Sequence, residues 1–261
     1  MRVVSLNTGR NESDFFGRVD AMARGLISLN PDVLFLQEVL SVPGEAIDTA
    51  LALASRLGMH YEHQPQRLKR RLLYASRVSS TSGLAVLTRM PARSFTSVEL
   101  PTLPEDGERF SQVVSLDLPL PLLLVNVHLT FLPGAEGEQL RIKQMRLTIE
   151  QAEQGAPART VIIAGDFNTA PGDAAFDSLA SDKRFDLGPG SIGELPATYL
   201  GGLVQESRTG GLAIDHIAVY HPHGTPSLRI ARRFLALTKP DAEGGLLPSD
   251  HAAVVADLVE V

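Results

Sequence analysis

Short, unbroken apolar runs set the tightest limit on how this chain can fold. Val33-Leu34-Phe35-Leu36 and Val161-Ile162-Ile163-Ala164 carry no polar side chain. A strand with one wet face alternates apolar and polar residues, so such runs belong to strands covered on both faces. Val3–Leu6, Leu84–Thr88, Gln112–Leu116 and Leu122–Val127 read as further strands, and Ile214–Tyr220, Ser227–Phe234 and Ala252–Val259 as the closing ones. Between them lie helical patterns. Val19, Met22, Ala23, Leu26 and Ile27 recur at three and four residues, which predicts an amphipathic helix over Gly17–Leu29, stopped by Asn30-Pro31. A second helix follows Pro43-Gly44, with Ile47, Leu51, Ala54 and Leu57 on one face and Gly58 as its C-cap. Leu140–Glu153, ended by Gly155 and Pro157, and Ala174–Ala180 are the other two. Each half of the chain repeats a rhythm of strand, helix, then several strands. Two packed sheets with helices outside, in a single domain over 1–261, satisfy that rhythm.

Composition narrows the classes. The 261 residues suit one large α/β domain, given a prior of roughly 150 per domain. Hydrophobic residues at 44% and charged residues at 21% exclude disordered and collagen-like chains. With no Cys, disulfide frameworks, thiolate metal sites and cysteine nucleophiles are excluded. The longest apolar run, Pro119–Val127, is broken by Pro121 and is too short to span a membrane, which takes roughly 18 residues. The opening MRVVSLNTGR reads as a strand running into a turn and lacks the apolar stretch of a signal peptide, so a cytoplasmic location is expected. Twenty-four basic against 30 acidic residues, a net −6, oppose a protein that grips nucleic acid by overall charge. A local basic patch and a bound dication could still carry such a contact.

The polar residues at the strand ends hold the chemistry. Functional side chains gather just past strand ends in open sheets. Strand one ends Ser5-Leu6-Asn7, and the next apolar strand ends Gln37-Glu38. The Leu122 strand carries Asn126 and His128, and the Ile162 strand runs into Gly165-Asp166-Phe167-Asn168. The late strands open with Asp215-His216 and Asp250-His251. Singly, each reads as a turn, a cap or a structural histidine. Together they are coherent: carboxylate and amide oxygens suit Mg²⁺ or Mn²⁺, and two histidines with an aspartate suit proton transfer. Alternation sends His216 to the face opposite Asp215.

The stretches VVSLNT, PDVLFLQEV, SGLAVLTRMP, LLLVNVHLTF, RIKQ, VIIAGDFNTAPGD, AIDHI and LLPSDHAAVV, in that order, resemble the endonuclease/exonuclease/phosphatase family of metal-dependent phosphohydrolases. The resemblance implies a DNase-I-like, four-layer α/β/β/α sandwich of two mixed sheets, with the site in the cleft between them. It implies Glu38 as principal metal ligand with Asn7 beside it, and Asp250 facing the metal or a bridging water. Asp166 and Asn168 would align the attacking water and bind the scissile phosphate. His251 would contact the phosphate and move a proton, oriented by Asp215. His128 would be the second histidine, and Asn126 either its phosphate-contacting neighbour or a residue that only shapes the backbone. Either Asp166 or His251 could take the proton from water.

Substrate class is narrowed by departures. Abasic-site endonucleases carry Asp where this chain has Gly9 and Tyr where it has His128. Thr169-Ala170-Pro171-Gly172-Asp173 lacks the basic character expected of an inositol phosphatase, and Phe131-Leu132-Pro133 is only a small candidate for a membrane-docking hairpin. Arg67, Lys69, Arg70, Arg71 and Arg77 put five cations in 11 residues. Arg67, Arg70 and Arg71 would grip a polyanionic substrate if this loop borders the cleft, whereas an edge strand uses such charges to block pairing. The expected activity is phosphodiester hydrolysis in nucleic acid or a nucleotide-like diester. The alternatives are a small phosphate ester or phospholipid headgroup, and an inactive binding scaffold. No partner protein is expected.

Overall fold

A computed structural model describes residues 1–116, 122–155, 160–190, 195–201, 211–224 and 226–261. Pro119, Pro121 and Pro157 lie outside the described residues. The first sheet is built from β1 (Arg2–Asn7), β2 (Val33–Val42), β3 (Ile47–Asp48), β4 (His60–Pro65), β5 (Lys69–Leu73), β6 (Ser76–Thr88), β13 (Leu228–Ala236) and β14 (Ala253–Glu260). Its spatial order is β13-β14-β1-β2-β6-β4, with β3 on β2 and β5 on β6. The second sheet holds β7 (Ser94–Leu100), β8 (Arg109–Leu116), β9 (Leu122–His128), β10 (Thr160–Asp166), β11 (Phe185–Asp186) and β12 (Asp215–Tyr220), ordered β11-β12-β10-β9-β8-β7. Both sheets are mixed: β1–β2 and β9–β10 pair parallel, and the other ladders run antiparallel.

The layering follows from the period of two along each strand. Val3, Val33 and Phe35 of the first sheet meet Leu124, Ile162 and Ile217 of the second in a dry interface. The alternate residues, Val4, Leu34 and Leu36, turn outward onto α1 (Phe15–Leu29) and α2 (Thr49–Leu57). Leu123, Val125 and Ile163 turn outward to a core shared with Met145 of α3 (Gly134–Gly155) and Phe176 of α4 (Ala174–Ser181). The order α/β/β/α is the one expected from runs buried on both faces.

Local details differ from the sequence expectation. Ile27 is 52% exposed and Leu51 45%, so neither lies on the buried helical stripe. Asp48 caps α2 through Leu51 N at 2.9 Å, which leaves Ile47 in β3. Ala50, Leu53, Ala54 and Leu57 form the stripe instead. Gly58 does end α2 in the left-handed conformation. Helix α3 begins six residues before the expected Leu140, and β2 continues beyond Leu36 through a bulge to Val42.

Candidate active site

The parallel pairings and the antiparallel β10–β12 ladder put polar strand ends side by side. Asn7 pairs with Gln37 across β1–β2, and Asp166 pairs with both His128 and Asp215 across β9–β10–β12. Gly165 is required for this convergence: a Cβ there would stand 1.9 Å from Val127 O. The two sheets therefore bring their polar ends to one edge of the sandwich. A cavity of about 770 Å³ opens there, lined by Asn7, Glu38, His128, Asp166, Asn168, Asp250 and His251.

Asp166 sits at the centre. Asn7 Nδ2 donates to its Oδ2 at 3.0 Å, Asn168 N donates to its Oδ1 at 3.0 Å, and His128 Nε2 lies 3.5 Å from Oδ2. Burial, reinforced by the charge of Asp215, pushes its carboxyl up to about 7. Asn168 holds a left-handed backbone and ties its amide to Leu129 O at 3.0 Å. Asp215 Oδ2 accepts from His251 Nδ1 at 2.8 Å. Burial opposes the charged form of His251, but the adjacent Asp215 charge and hydrogen bond override it, with help from Asp166 and Asp250. They hold the imidazolium up to about 10. His128 is driven the other way, well below the ordinary histidine range, by burial and by the positive Arg109 and Arg10. The site thus pairs one charged histidine with one neutral one.

Glu38 occupies the bulge in β2, where the register against β6 shifts between Leu36 and Val39. Its φ of 55° is unusual for a residue with a side chain and aims the carboxylate into the cavity. Asp250 follows Ser249, whose hydroxyl lies 2.6 Å from Asn7 O and ties the chain's late turn to the end of β1. Burial and the nearby Glu38 charge both raise the Asp250 carboxyl. Crowded carboxylates beside the Asn7 amide form a hard-oxygen donor set, which fits a small dication. Asp166, Asp215 and His251 also bring ligand-competent atoms within 4.8 Å of one another and could hold a metal ion. There, however, His251 Nδ1 and Asp166 Oδ2 are already engaged in hydrogen bonds.

Three expected site residues do not line the cavity: Asn126, Arg70, and Asp215, which reaches it through His251. Asn126 is fully buried beneath it. Its amide crosses between the sheets, donating to Leu36 O at 2.9 Å and Ala85 O at 3.0 Å, and accepting from Gln37 Nε2 at 2.8 Å. It satisfies backbone carbonyls beside the β2 bulge rather than touching phosphate. Asn126→Ala is expected to lower the unfolding free energy by roughly 3 kcal/mol, because several buried partners are orphaned at once. Urea denaturation checks this, with the KM of the folded fraction unchanged. Arg70 also stays outside the cavity. Along β5, Lys69 and Arg71 turn into the cavity with Arg67, while Arg70 faces solvent with Leu72. The cationic segment is therefore both a cavity wall and a charged outer face.

Several site residues had no signal in the sequence. Arg10 lines the cavity and places Nε 2.6 Å from Glu38 Oε2. Arg18 of α1 is buried and donates all five N–H groups to the carbonyls of Thr8, Gly9, Arg10, Glu12 and Pro248. It pins the β1–α1 loop to the turn before Asp250. Thr198 Oγ1 accepts from the backbone of Ile214 and Asp215, each at 3.0 Å, and Thr198 O accepts from Ala252 N. Tyr199 sets its ring edge-on to His251 at 5.1 Å. Arg109, held by Asp106 at 2.6 Å, lies under the exposed Phe131 at the cavity rim. The Arg109–Asp106 pair and four of the Arg18 bonds are local, spanning 3 to 10 residues, whereas the others join separate segments of the chain.

His216 faces away from Asp215, as alternation requires, and lies between Phe167 and Phe176 with Nε2 on Thr169 O at 2.9 Å. Burial pushes its imidazole down to about 4, so the folded protein keeps it neutral while the unfolded chain protonates near 6.5. The contribution is complete above 6.5 and is lost as pH falls toward 4. Between pH 7.5 and 5 it removes about 2 kcal/mol. Urea midpoints are expected to fall more steeply across that range in the wild type than in His216→Gln.

The model of the endonuclease/exonuclease/phosphatase family matches residues 4–251. No curated protein matches the chain significantly. Solved structures share the fold at low identity. D. rerio TDP2 complexed with a single strand DNA product superposes with a TM-score of 0.74 at 18% identity, covering 99% of this chain and 98% of that one. An endonuclease/exonuclease/phosphatase family protein from Leptotrichia buccalis gives 0.74 at 15% identity, covering 99% of each. One from Beutenbergia cavernae gives 0.69 at 21% identity, covering all of this chain and 71% of that one.

Proposed function

This chain belongs to the endonuclease/exonuclease/phosphatase family of metal-dependent phosphohydrolases, and on that footing we propose that it hydrolyses phosphodiester bonds in nucleic acid or a nucleotide-like diester. One observation carries the reading. A single cavity holds oxygen donors on one side, the Asp166 and His251 proton-handling groups on its floor, and Arg67, Lys69 and Arg71 on its wall. Three cations beside the reacting centre match a substrate with phosphates beyond the one cleaved. The fold-mate crystallised with a single strand DNA product supports the same substrate class.

Glu38 and Asp250, with Asn7, would hold Mg²⁺ or Mn²⁺. The bound dication supplies charge stabilisation to the phosphate oxygens. Asp166, near 7, is matched to accept a proton from water at neutral pH. His251 stays cationic through its bond to Asp215, so it offers Nε2–H to a phosphate or leaving oxygen. Neutral His128 and the Asn168 region position Asp166 and the scissile group. No helix among the described residues is long and apolar enough to cross a membrane.

Bis-p-nitrophenyl phosphate and p-nitrophenyl phosphate, each with Mg²⁺, Mn²⁺ or EDTA, test the chemistry; single-stranded and plasmid DNA test the substrate. Metal-dependent diester cleavage with DNA hydrolysis is expected. Its log–log salt slope should lie near roughly −2, since about three phosphates are contacted at about 0.7 each on a single strand. Cleavage of small esters with a flat salt response would move the substrate to a lone phosphate ester or lipid headgroup.

A further inference from the structure

Arg10 is placed between two groups of opposite charge. Its Nε lies 2.6 Å from Glu38 Oε2, with Glu12 and Asp250 close enough to act on it. On the other side its charge reaches His128 and Arg71. The side chain is 43% exposed, while its ion-pair partner is only 14% exposed. The backbone beneath it is fixed: φ is 46°, and Arg18 Nη2 holds Arg10 O at 3.0 Å. A fixed root with a partly exposed side chain allows rotation of the tip about the side-chain bonds without moving the loop.

Glu38 cannot serve two cations equally. A carboxylate that ligates a dication loses most of its attraction for a guanidinium, and the dication repels the Arg charge. Glu12 and Asp250 cluster with Glu38 on the side a dication would take, and across the cavity lies the space beside His128, Asp166 and Asn168. A guanidinium released there meets the anionic group that this space admits, with the fork geometry that suits phosphate oxygens.

We propose that Arg10 is a metal-displaced phosphate ligand: it occupies Glu38 in the metal-free protein and turns to the substrate phosphate once a dication takes Glu38. The proposal rests on the phosphodiesterase reading above. It couples the two binding events, so that metal and phosphate each strengthen the other's hold.

The test needs no turnover. Mn²⁺ is titrated into the full chain without substrate, by water-proton relaxation, in wild type and Arg10→Gln. Loss of the internal competitor is expected to tighten Mn²⁺ binding by roughly three- to tenfold, the range for a partly exposed charge-assisted pair. Calorimetry with inorganic phosphate at saturating Mg²⁺ should show the opposite: weaker binding by roughly tenfold in Arg10→Gln, with no difference between the proteins when metal is withheld. Equal Mn²⁺ affinity overturns the proposal. Tighter Mn²⁺ binding with unchanged phosphate affinity also overturns it, because Arg10 would then be only a repelling neighbour. If Arg10→Gln does not fold, Arg10→Lys serves. It keeps the charge, loses the fork, and should give shifts of the same signs and smaller size. Failure of the wild type itself to bind Mn²⁺ overturns the metal-dependent reading, and the Arg10 proposal with it.

Discussion

His251→Gln is expected to lower kcat for diester cleavage by roughly three to four orders of magnitude, the combined range of acid–base and electrostatic stabilisation. The size follows from what the dyad does. Asp215 accepts from Nδ1 at 2.8 Å and keeps the ring cationic up to about 10. A neutral amide of similar shape can donate one hydrogen bond but carries no charge and no transferable proton. KM should change little, and Mn²⁺ affinity in the absence of substrate should stay within about twofold, since the ring is already committed to Asp215. Asp215→Asn should reproduce most of the loss with His251 still in place. Among the described residues its Oδ1 has no hydrogen-bond partner, and its attachment to the site runs through His251 and its own backbone. Wild-type kcat in His251→Gln would remove this ring from the chemistry.

The second large effect is expected at Glu38. Glu38→Gln keeps the size and one oxygen donor but removes the charge that would anchor a dication. Metal affinity should fall by at least about 100-fold, the upper end of the loss on removing even an outer-shell partner of a metal ligand. Turnover at ordinary Mg²⁺ should be abolished. Arg10, freed from its ion pair, should leave the fold intact, because the pair is partly solvated and worth no more than about 1 kcal/mol. Thermal melts of the metal-free proteins should therefore nearly coincide, while Mn²⁺ titrations diverge. Activity restored by moderate excess Mg²⁺ would demote Glu38 to a secondary ligand and leave Asp250 as the principal one.

The contrast between Asn126 and Asp166 shows where sequence reading reaches its limit. Both are polar residues near the ends of apolar strands. Asp166 is the last residue of β10, and its neighbours across the ladder are His128 and Asp215. Asn126 lies two residues inside β9, and the β2 bulge opposite supplies carbonyls that need a donor. The same side-chain type at a depth of two residues changes from a site group to a structural one. Arg70 and Arg71 differ similarly, through one step of pleat.

The apolar runs, the helical periods and the polar strand ends determined by themselves that two sheets pack face to face beneath helices, with carboxylates and histidines at the strand ends. They could do so because burial on both faces and the alternation of side chains are local properties that each strand carries alone. Tertiary structure decided the rest: the Glu38 bulge, the Arg10–Glu38 contact, the five carbonyls gathered by Arg18 and the Thr198 brace behind Asp215. Four of the Arg18 bonds close the loop between β1 and α1, while the bulge, the Arg10–Glu38 contact, the Arg18 bond to Pro248 and the Thr198 brace join separate segments of the chain. Ladder register and sheet packing set their distances, and neither is written in the residues on one side of the contact.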